Sequence, residues 1–173
     1  MNFFKRGSIL SDFCIHPVGS DDGDWIAQFI TKRWGAEFVA AHYEVFHCRD
    51  LPGFVATDGE EKIGLVTYKI TGDECEIVSL DSLQPCMGIG TGLIDAVKGA
   101  ACESGCKRLW LVTTNDNMNA LRFYQKRGLV LVKINRNAIE FARNLKPVPL
   151  IGADGIPLRD EIELEMMLGD AAL

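Results

Sequence analysis

The stretch QPCMGIGTGL, residues 84–93, carries three glycines at alternate positions just before an amphipathic segment. Glycine loses more conformational freedom on folding than any other residue, so this spacing indicates that something approaches the main chain closely. A loop rich in main-chain N–H groups at the start of a helix suits a phosphate, because the helix dipole places partial positive charge there. A tight turn without a ligand explains the glycines equally well, and the stretch alone leaves both interpretations open.

Two common nucleotide motifs do not fit this stretch. A dinucleotide-binding loop needs G-x-G-x-x-G at the end of the first strand of a βαβ unit. Here the third glycine comes one residue early, and the loop follows a run of several β-rich segments. A Walker A loop needs Gly-Lys followed by Ser or Thr, whereas this sequence has Gly92-Leu93.

The flanking patterns predict a strand meander before the loop and a helix after it. Residues 53–80 hold three β-rich runs separated by the turn-forming sequences DGEE and TGDE, which indicates antiparallel strands joined by short turns. After the loop, apolar residues recur at i, i+4 spacing up to Ser104-Gly105, as in an amphipathic helix. They are Ile89, Leu93, Val97 and Ala101.

The remaining segments alternate between strand and helix patterns. Before the meander we expect a strand at 12–18 and a helix at 21–35 capped by Asp21 or Asp22, while 36–52 fits either state. After the loop helix we expect, in order, a strand at 107–114, a helix at 117–127 closed by Gly128, a strand at 129–134, a helix at 135–147 and a strand at 161–168 with one buried face. This order predicts a single domain over residues 1–173, of the α+β class with α/β layering, in which helices flank a mixed, mostly antiparallel central sheet.

Composition narrows the classes of function. The formal charge of −6 and the pI near 5.1 argue against a nucleic-acid surface, which needs clustered Lys and Arg. No apolar run approaches the roughly 18 residues of a membrane span, and the start MNFFKRGSIL does not resemble a secretory signal. None of the six cysteines forms a C-x-x-C pair. We therefore expect a cytoplasmic protein with reduced thiols, no metal, no nucleic-acid partner and no membrane partner.

A second motif lies about 30 residues downstream of the glycines. Residues 117–129 read N-x-x-A-x-x-x-Y-x-x-x-G-L. Together with QPCMGIGTGL this resembles the GNAT-type N-acetyltransferase superfamily, which carries R/Q-x-x-G-x-G/A before one helix and N-x-x-A-x-x-x-Y-x-x-x-G-F before the next strand. The element order fits a GNAT-like fold over residues 12–168. Two positions depart from the pattern: Pro85 stands where the family has Arg or Gln, with Gln84 one step off register, and Leu129 replaces Phe.

The resemblance implies acetyl-CoA as cosubstrate and assigns residues to it. In the family, the pyrophosphate lies on main-chain N–H groups of the glycine loop, here Cys86, Met87, Gly88, Ile89, Gly90 and Thr91. The preceding strand separates from its neighbour and pairs with the pantetheine arm, which places Val78, Ser79 and Leu80 along it. Asn117 and Tyr124 of the second motif complete the cofactor set. Pro85 removes one N–H donor from the loop, which would weaken the pyrophosphate contact.

The resemblance also implies catalytic roles. Tyr124 is the expected general acid, because a phenol within reach can protonate the leaving thiolate. Glu74 and Glu76 are candidate bases, directly or through water, since an amine enters protonated at neutral pH. At period two they would share one strand face with Val78 and Leu80. Cys86 near a helix N-terminus offers a covalent alternative, but direct attack by the amine is favoured because no histidine is linked to it in sequence.

The sequence leaves the acceptor and one other class of function open. A small-molecule amine and a peptide amine both fit, and the segments 35–52 and 135–160 would choose between them. An exposed strand edge would allow a homodimer. The alternative to an enzyme is a non-catalytic CoA-binding or regulatory module on the same fold.

Overall fold

The computed structural model describes residues 13–169. Asp12, the first residue of the first predicted strand, lies outside the described residues. So does the start MNFFKRGSIL, on which the prediction about a secretory signal rests. The strands within this range are β1 (Cys14–Pro17), β2 (Val39–Ala41), β3 (Glu44–Phe46), β4 (Gly53–Asp58), β5 (Glu61–Thr71), β6 (Glu74–Ser82), β7 (Arg108–Thr114), β8 (Val130–Asn135) and β9 (Glu161–Met167). The α-helices are α1 (Gly23–Trp34), α2 (Ile89–Glu103), α3 (Met118–Gln125) and α4 (Ile139–Arg143).

Seven of these strands form one central sheet in the order β1-β4-β5-β6-β7-β9-β8. All neighbours pair antiparallel except β6 and β7, which are parallel. The predicted mixed, mostly antiparallel sheet flanked by helices is confirmed, and β4, β5 and β6 are the predicted meander. Segment 36–52, which the sequence left ambiguous, folds as the separate hairpin β2–β3 followed by a short 3-10 turn.

Helices cover both faces of the sheet. The predicted apolar stripe of α2 is fully buried, and it packs with Leu109, Leu111 and Leu164 from the sheet and with α3. On the opposite face, α1 buries Ile26 and Ile30 against β4, β5 and β6. Full burial of one such aliphatic side chain contributes about 1.5–3 kcal/mol, so the two clusters fix the strands that carry the site.

Two of the three glycines are explained by packing. A Cβ atom on Gly90 would lie 2.9 Å from Cζ of Phe123 on α3, and one on Gly92 would lie 2.7 Å from Cδ1 of Ile15 on β1. Both distances are below ordinary carbon contacts, so these glycines let α2 approach its neighbours. Gly88 differs, because it has φ +81° and open space around it at the N-cap of α2. The conformational freedom of glycine is needed there for the turn.

Other boundaries depart from the sequence prediction. Asp22 occupies the N-cap position of α1, but its carboxylate accepts the N–H of Gly19 (2.8 Å) and pairs with Lys62 instead of capping the helix. The predicted helix at 135–147 is shortened to α4, which Asn137 precedes with a left-handed φ of 58°. Among residues 13–169, no helix combines the length and apolar character that crossing a membrane requires.

The last strand alternates as expected. In β9, Leu164 is buried, and Ile162 and Met166 on the same face are half-buried and pack against the core cluster that contains α2. β9 is an inner strand, paired with β7 on one side and β8 on the other. Its other face carries Glu163 and Glu165, which are satisfied by ion pairs with Arg108 from β7.

Candidate active site

The site begins where the two parallel strands separate. β6 and β7 pair only over three residues, from Glu74 opposite Arg108 to Glu76 opposite Trp110, although β6 continues to Ser82 and β7 to Thr114. Beyond that point a cavity of about 210 Å³ opens between residues 76–81 and residues 111–114. Main-chain groups on the separated edges are therefore available to an extended ligand, as on any unpaired strand edge.

A β-bulge at Val78 changes the faces of β6. Ile77 pairs with Tyr68 and Ser79 with Thr67, so Val78 is the extra residue. Because one extra residue reverses the alternation of side chains, Val78 packs with the α1 cluster and Leu80 with the α2 cluster. The prediction that Leu80 shares a face with Glu74 and Glu76 is therefore wrong.

A second cavity, of about 630 Å³, lies over the glycine loop. Pro85, Cys86 and Gly88 line it together with the first turn of α2, and Arg127 lines it from the end of α3. The two cavities share three lining residues, Leu80, Ala120 and Tyr124. They form a path that runs from the separated strands to the N-terminus of α2.

Arg127 is a cation of this second cavity that sequence reasoning missed. Its guanidinium donates to Oγ1 of Thr91 from Nε (2.9 Å) and Nη2 (2.6 Å), and to the carbonyl of Phe123 from Nη1 (2.8 Å). It also stacks 3.4 Å from the ring centroid of Phe123. A guanidinium has five N–H donors, so two remain for a ligand anion. The signal in the sequence was a basic residue directly before Gly128.

Tyr124 lies at the junction of the two cavities. Its side chain is buried, and its hydroxyl hydrogen-bonds no residue of the described part of the chain. Burial, followed by the charge of Asp81, raises the pKa of this phenol above its usual value. The hydroxyl is therefore protonated at neutral pH and available as a donor.

Glu76 belongs to a buried cluster near the first cavity. One oxygen, Oε1, lies 2.6 Å from Nε2 of His42, whereas Oε2 accepts no hydrogen bond from residues 13–169. His42 packs against the rings of Trp110 and Phe46 at 5.3 and 5.5 Å. The main-chain N–H of His42 donates to both carboxylate oxygens of Glu161, at 3.1 and 3.0 Å. Glu76 and Glu161 both line the cavity.

Glu74 has different surroundings. Its carboxylate accepts from Nη1 of Arg108 (3.2 Å), in the ion-pair group that also holds Glu163 and Glu165. The side chain is 44% exposed and lines neither cavity. The structure thus separates the two glutamates that the sequence left as alternative bases.

The predicted cofactor residues lie along the path between the cavities. Asn117 caps α3, with Oδ1 accepting the N–H of Ala120 (3.1 Å), and lines the first cavity. The side chain of Ser79 is engaged with Thr67 (2.7 Å between hydroxyl oxygens), and Ser79 lines the first cavity. The other predicted residues that line one cavity or the other are Val78, Leu80, Cys86, Gly88, Ile89, Gly90, Thr91 and Tyr124. Met87 is the member of the set that lines neither. Among the described residues, no group of three or more His, Cys, Asp or Glu side chains is arranged to hold a metal ion.

The fold and the site define a class of mixed-sheet proteins in which the sheet opens between two parallel strands beside a glycine-capped helix. Residues 23–129 match the family model of the Acetyltransferase (GNAT) family, and the chain belongs to this family. A curated relative from Bacillus subtilis (strain 168), the uncharacterized protein YdhI, is 45% identical over 79% of this chain and 87% of its own length.

Solved structures share the fold. The chain superimposes with a TM-score of 0.71 on an IAA acetyltransferase from Bacillus cereus ATCC 14579, at 21% identity over 91% of this chain and 100% of the other. A GNAT family acetyltransferase from Elizabethkingia anophelis with acetyl-CoA bound gives a TM-score of 0.67, at 23% identity over 91% of this chain and 99% of the other. At these identities the likeness concerns the fold alone.

Proposed function

We propose that this protein is an N-acetyltransferase that moves the acetyl group of acetyl-CoA to a primary amine. The observation that carries the proposal is the continuous path from the separated strands, past Tyr124, to the N-terminus of α2.

We propose further that residues 1–173 form one acetyltransferase-like domain, working in the cytoplasm. The outer edge of β8, which carries exposed apolar residues, is where the homodimer expected from the sequence would pair.

Acetyl-CoA fits this path from both ends. The pyrophosphate would lie on the N–H groups of residues 86–91, where the dipole of α2 and the guanidinium of Arg127 favour negative charge. Arg127 would also offset the donor that Pro85 lacks. The pantetheine arm would pair with the main chain of residues 78–80 along the separated edge of β6. A structural neighbour with acetyl-CoA bound supports acetyl-CoA as the ligand.

Glu76 and Tyr124 would then divide the proton transfers. The carboxylate of Glu76 takes a proton from the ammonium, directly or through water, and the free amine attacks the thioester carbon. A main-chain N–H near Leu80 stabilises the developing oxyanion. As the C–S bond breaks, Tyr124 donates to the sulfur, and the nitrogen loses its second proton, which returns through water to the phenol oxygen, so that the amide, the CoA thiol and neutral Tyr124 result. Cys86 lies exposed in the loop at the pyrophosphate end, which favours direct attack over an acyl-cysteine intermediate.

Contacts around the first cavity favour a small-molecule amine over a peptide. The ring of Tyr43 in the β2–β3 turn lies 5.8 Å from that of Phe141 on α4. The ammonium of Lys146 donates to the carbonyl of Trp34 at the end of α1 (2.7 Å) and lies 5.6 Å from the ring of Phe38. These contacts tie the hairpin to α4 and tie α1 to the segment after α4. We infer that they bridge the side on which an extended peptide would lie.

We expect small primary amines to be acetylated with higher kcat/KM than peptides. Thiol release from acetyl-CoA would be measured with a panel of small amines and with short peptides that carry free N-termini and lysines. A Phe141→Ala variant, which removes the aromatic contact with Tyr43, serves as a comparison for peptide access. Peptide turnover equal to or faster than that of the small amines by the unaltered protein would contradict the small-molecule assignment.

The proposed function itself is tested by thermal unfolding with acetyl-CoA, CoA, NAD and ATP in turn. A ligand at 100 times its Kd adds about 2.7 kcal/mol to the free energy of unfolding, or a melting shift of roughly 5–10 °C at this size. We expect a shift with acetyl-CoA and CoA and none with NAD or ATP. An unchanged melting temperature with both CoA ligands would refute the cofactor assignment.

A further inference from the structure

The turn that carries His42 has an unfavourable backbone. β2 and β3 are joined by the two-residue loop His42-Tyr43, since Ala41 pairs with Glu44. Both loop residues have positive φ, 36° and 68°. Such turns favour Asn and Gly, and larger side chains such as those of His and Tyr are strained in that region. Strain of this kind persists only where surrounding contacts impose it.

Two contacts hold the His42-Tyr43 turn in this conformation. Glu161, at the start of the inner strand β9, accepts the N–H of His42 with both oxygens. The imidazole then reaches Oε1 of Glu76 at 2.6 Å, with Trp110 and Phe46 fixing the plane of the ring. The turn is therefore held so that the carboxylate of Glu76 is bound on one oxygen and open to the cavity on the other.

We propose that His42 is the positioning residue for the base of the reaction, anchored in place by Glu161. This inference rests on the proposed function, in which Glu76 takes the acceptor proton. Nε2–H of His42 donates to Oε1 and orients the carboxylate, and Oε2 receives the proton from the ammonium. No bond other than N–H of the amine and O–H of the carboxyl changes in this step.

Carboxylates surround the imidazole. Glu76 from β6, Glu161 from β9 and Glu44 from β3 face His42, and Glu44 is itself paired with Lys69. Burial disfavours charge on the ring, but the hydrogen bond to Glu76 and these charges outweigh it and raise the pKa of His42 above its ordinary value. The stabilisation from this pair is therefore complete below the unfolded imidazole pKa of about 6.5 and is lost as the pH rises through the folded pKa.

The pair can be tested before any acceptor is known. The chain has three histidines, so NMR titration resolves each imidazole in the full-length protein. We expect His42 to titrate above pH 6.5, the reference value, in the unaltered protein and at lower pH in Glu76→Gln. An identical His42 titration in both proteins would overturn the pairing.

Turnover tests the positioning role. With an amine that the unaltered protein acetylates, we expect His42→Leu to lower kcat about 10-fold to 100-fold, with KM for acetyl-CoA unchanged. His42→Gln keeps an N–H donor and should recover most of kcat while the inflection due to the imidazole disappears from the pH profile. His16→Gln, in the edge strand β1, is the matched control. Unchanged kcat in His42→Leu at every pH would overturn the positioning role of His42.

Absence of turnover with all amines would count against the proposed function. The NMR titration would still decide whether His42 pairs with Glu76.

Discussion

Glu76→Gln should lower kcat about 100-fold to 10,000-fold, the range that general acid–base groups typically contribute. The substitution keeps the shape of the side chain and an oxygen able to accept from His42. What it removes is the negative charge of Glu76. Among the described residues that line the first cavity, Glu76 is the one whose carboxylate has an oxygen that accepts no hydrogen bond. The measurement is initial rates of CoA thiol release, with acetyl-CoA affinity followed by melting shift.

The same change at Glu74 identifies the base. Because Glu74 pairs with Arg108 away from the cavity, Glu74→Gln should change kcat little and at most loosen the ion-pair group. Each exposed ion pair in such a group is worth about 1 kcal/mol or less. A large loss of kcat in Glu74→Gln with little change in Glu76→Gln would reverse the assignment.

Tyr124→Phe is expected to reduce kcat by about 100-fold without weakening acetyl-CoA binding. The variant deletes one hydroxyl and retains the ring, whose edge contact with Phe123 (5.3 Å between centroids) and core packing are preserved. Burial raises the phenol pKa well above that of a thiol, so outright transfer to sulfur is uphill. We therefore expect much of the effect to come from the hydrogen bond to the developing thiolate.

A matched control and the alternative function complete this test. Tyr68→Phe removes a hydroxyl from a tyrosine that stacks on Phe54 (6.1 Å) in the same core but lines neither cavity, so kcat should not change. A non-catalytic CoA-binding module would show the melting shift with CoA and no thiol release at all. Equal turnover in the Tyr124→Phe variant and the unaltered protein would remove Tyr124 from the mechanism.

Local sequence patterns predicted most of the fold. The meander, the α2 helix and the strand–helix unit around Tyr124 follow from periodicity and turn residues, which act over a few positions. Segment 36–52 could not be assigned in this way, because its short strands exist only through pairing with each other. The bulge at Val78 was also invisible, since an extra residue in one strand is defined by its partner.

The candidate site was predicted less completely. Tyr124 could be named from the second motif, and Glu76 was named together with Glu74 from the family resemblance. The separation of Glu76 from Glu74 depends on Arg108, which lies 34 residues from Glu74 in sequence. The contact of His42 with Glu76 spans the same separation, and that with Glu161 spans 119 residues. Such contacts are set by the tertiary fold, and a single sequence carries no local signal for them.

The bulge in β6 has a consequence for how this protein can evolve. Val78 is the extra residue, so its deletion would leave Ile77 opposite Tyr68, Ser79 opposite Thr67 and Leu80 on its present face. What such a deletion would remove is one residue of main chain from the separated edge of the strand. Substitutions can therefore tune the side chains along this edge gradually, whereas loss of one codon shortens the edge itself in one step.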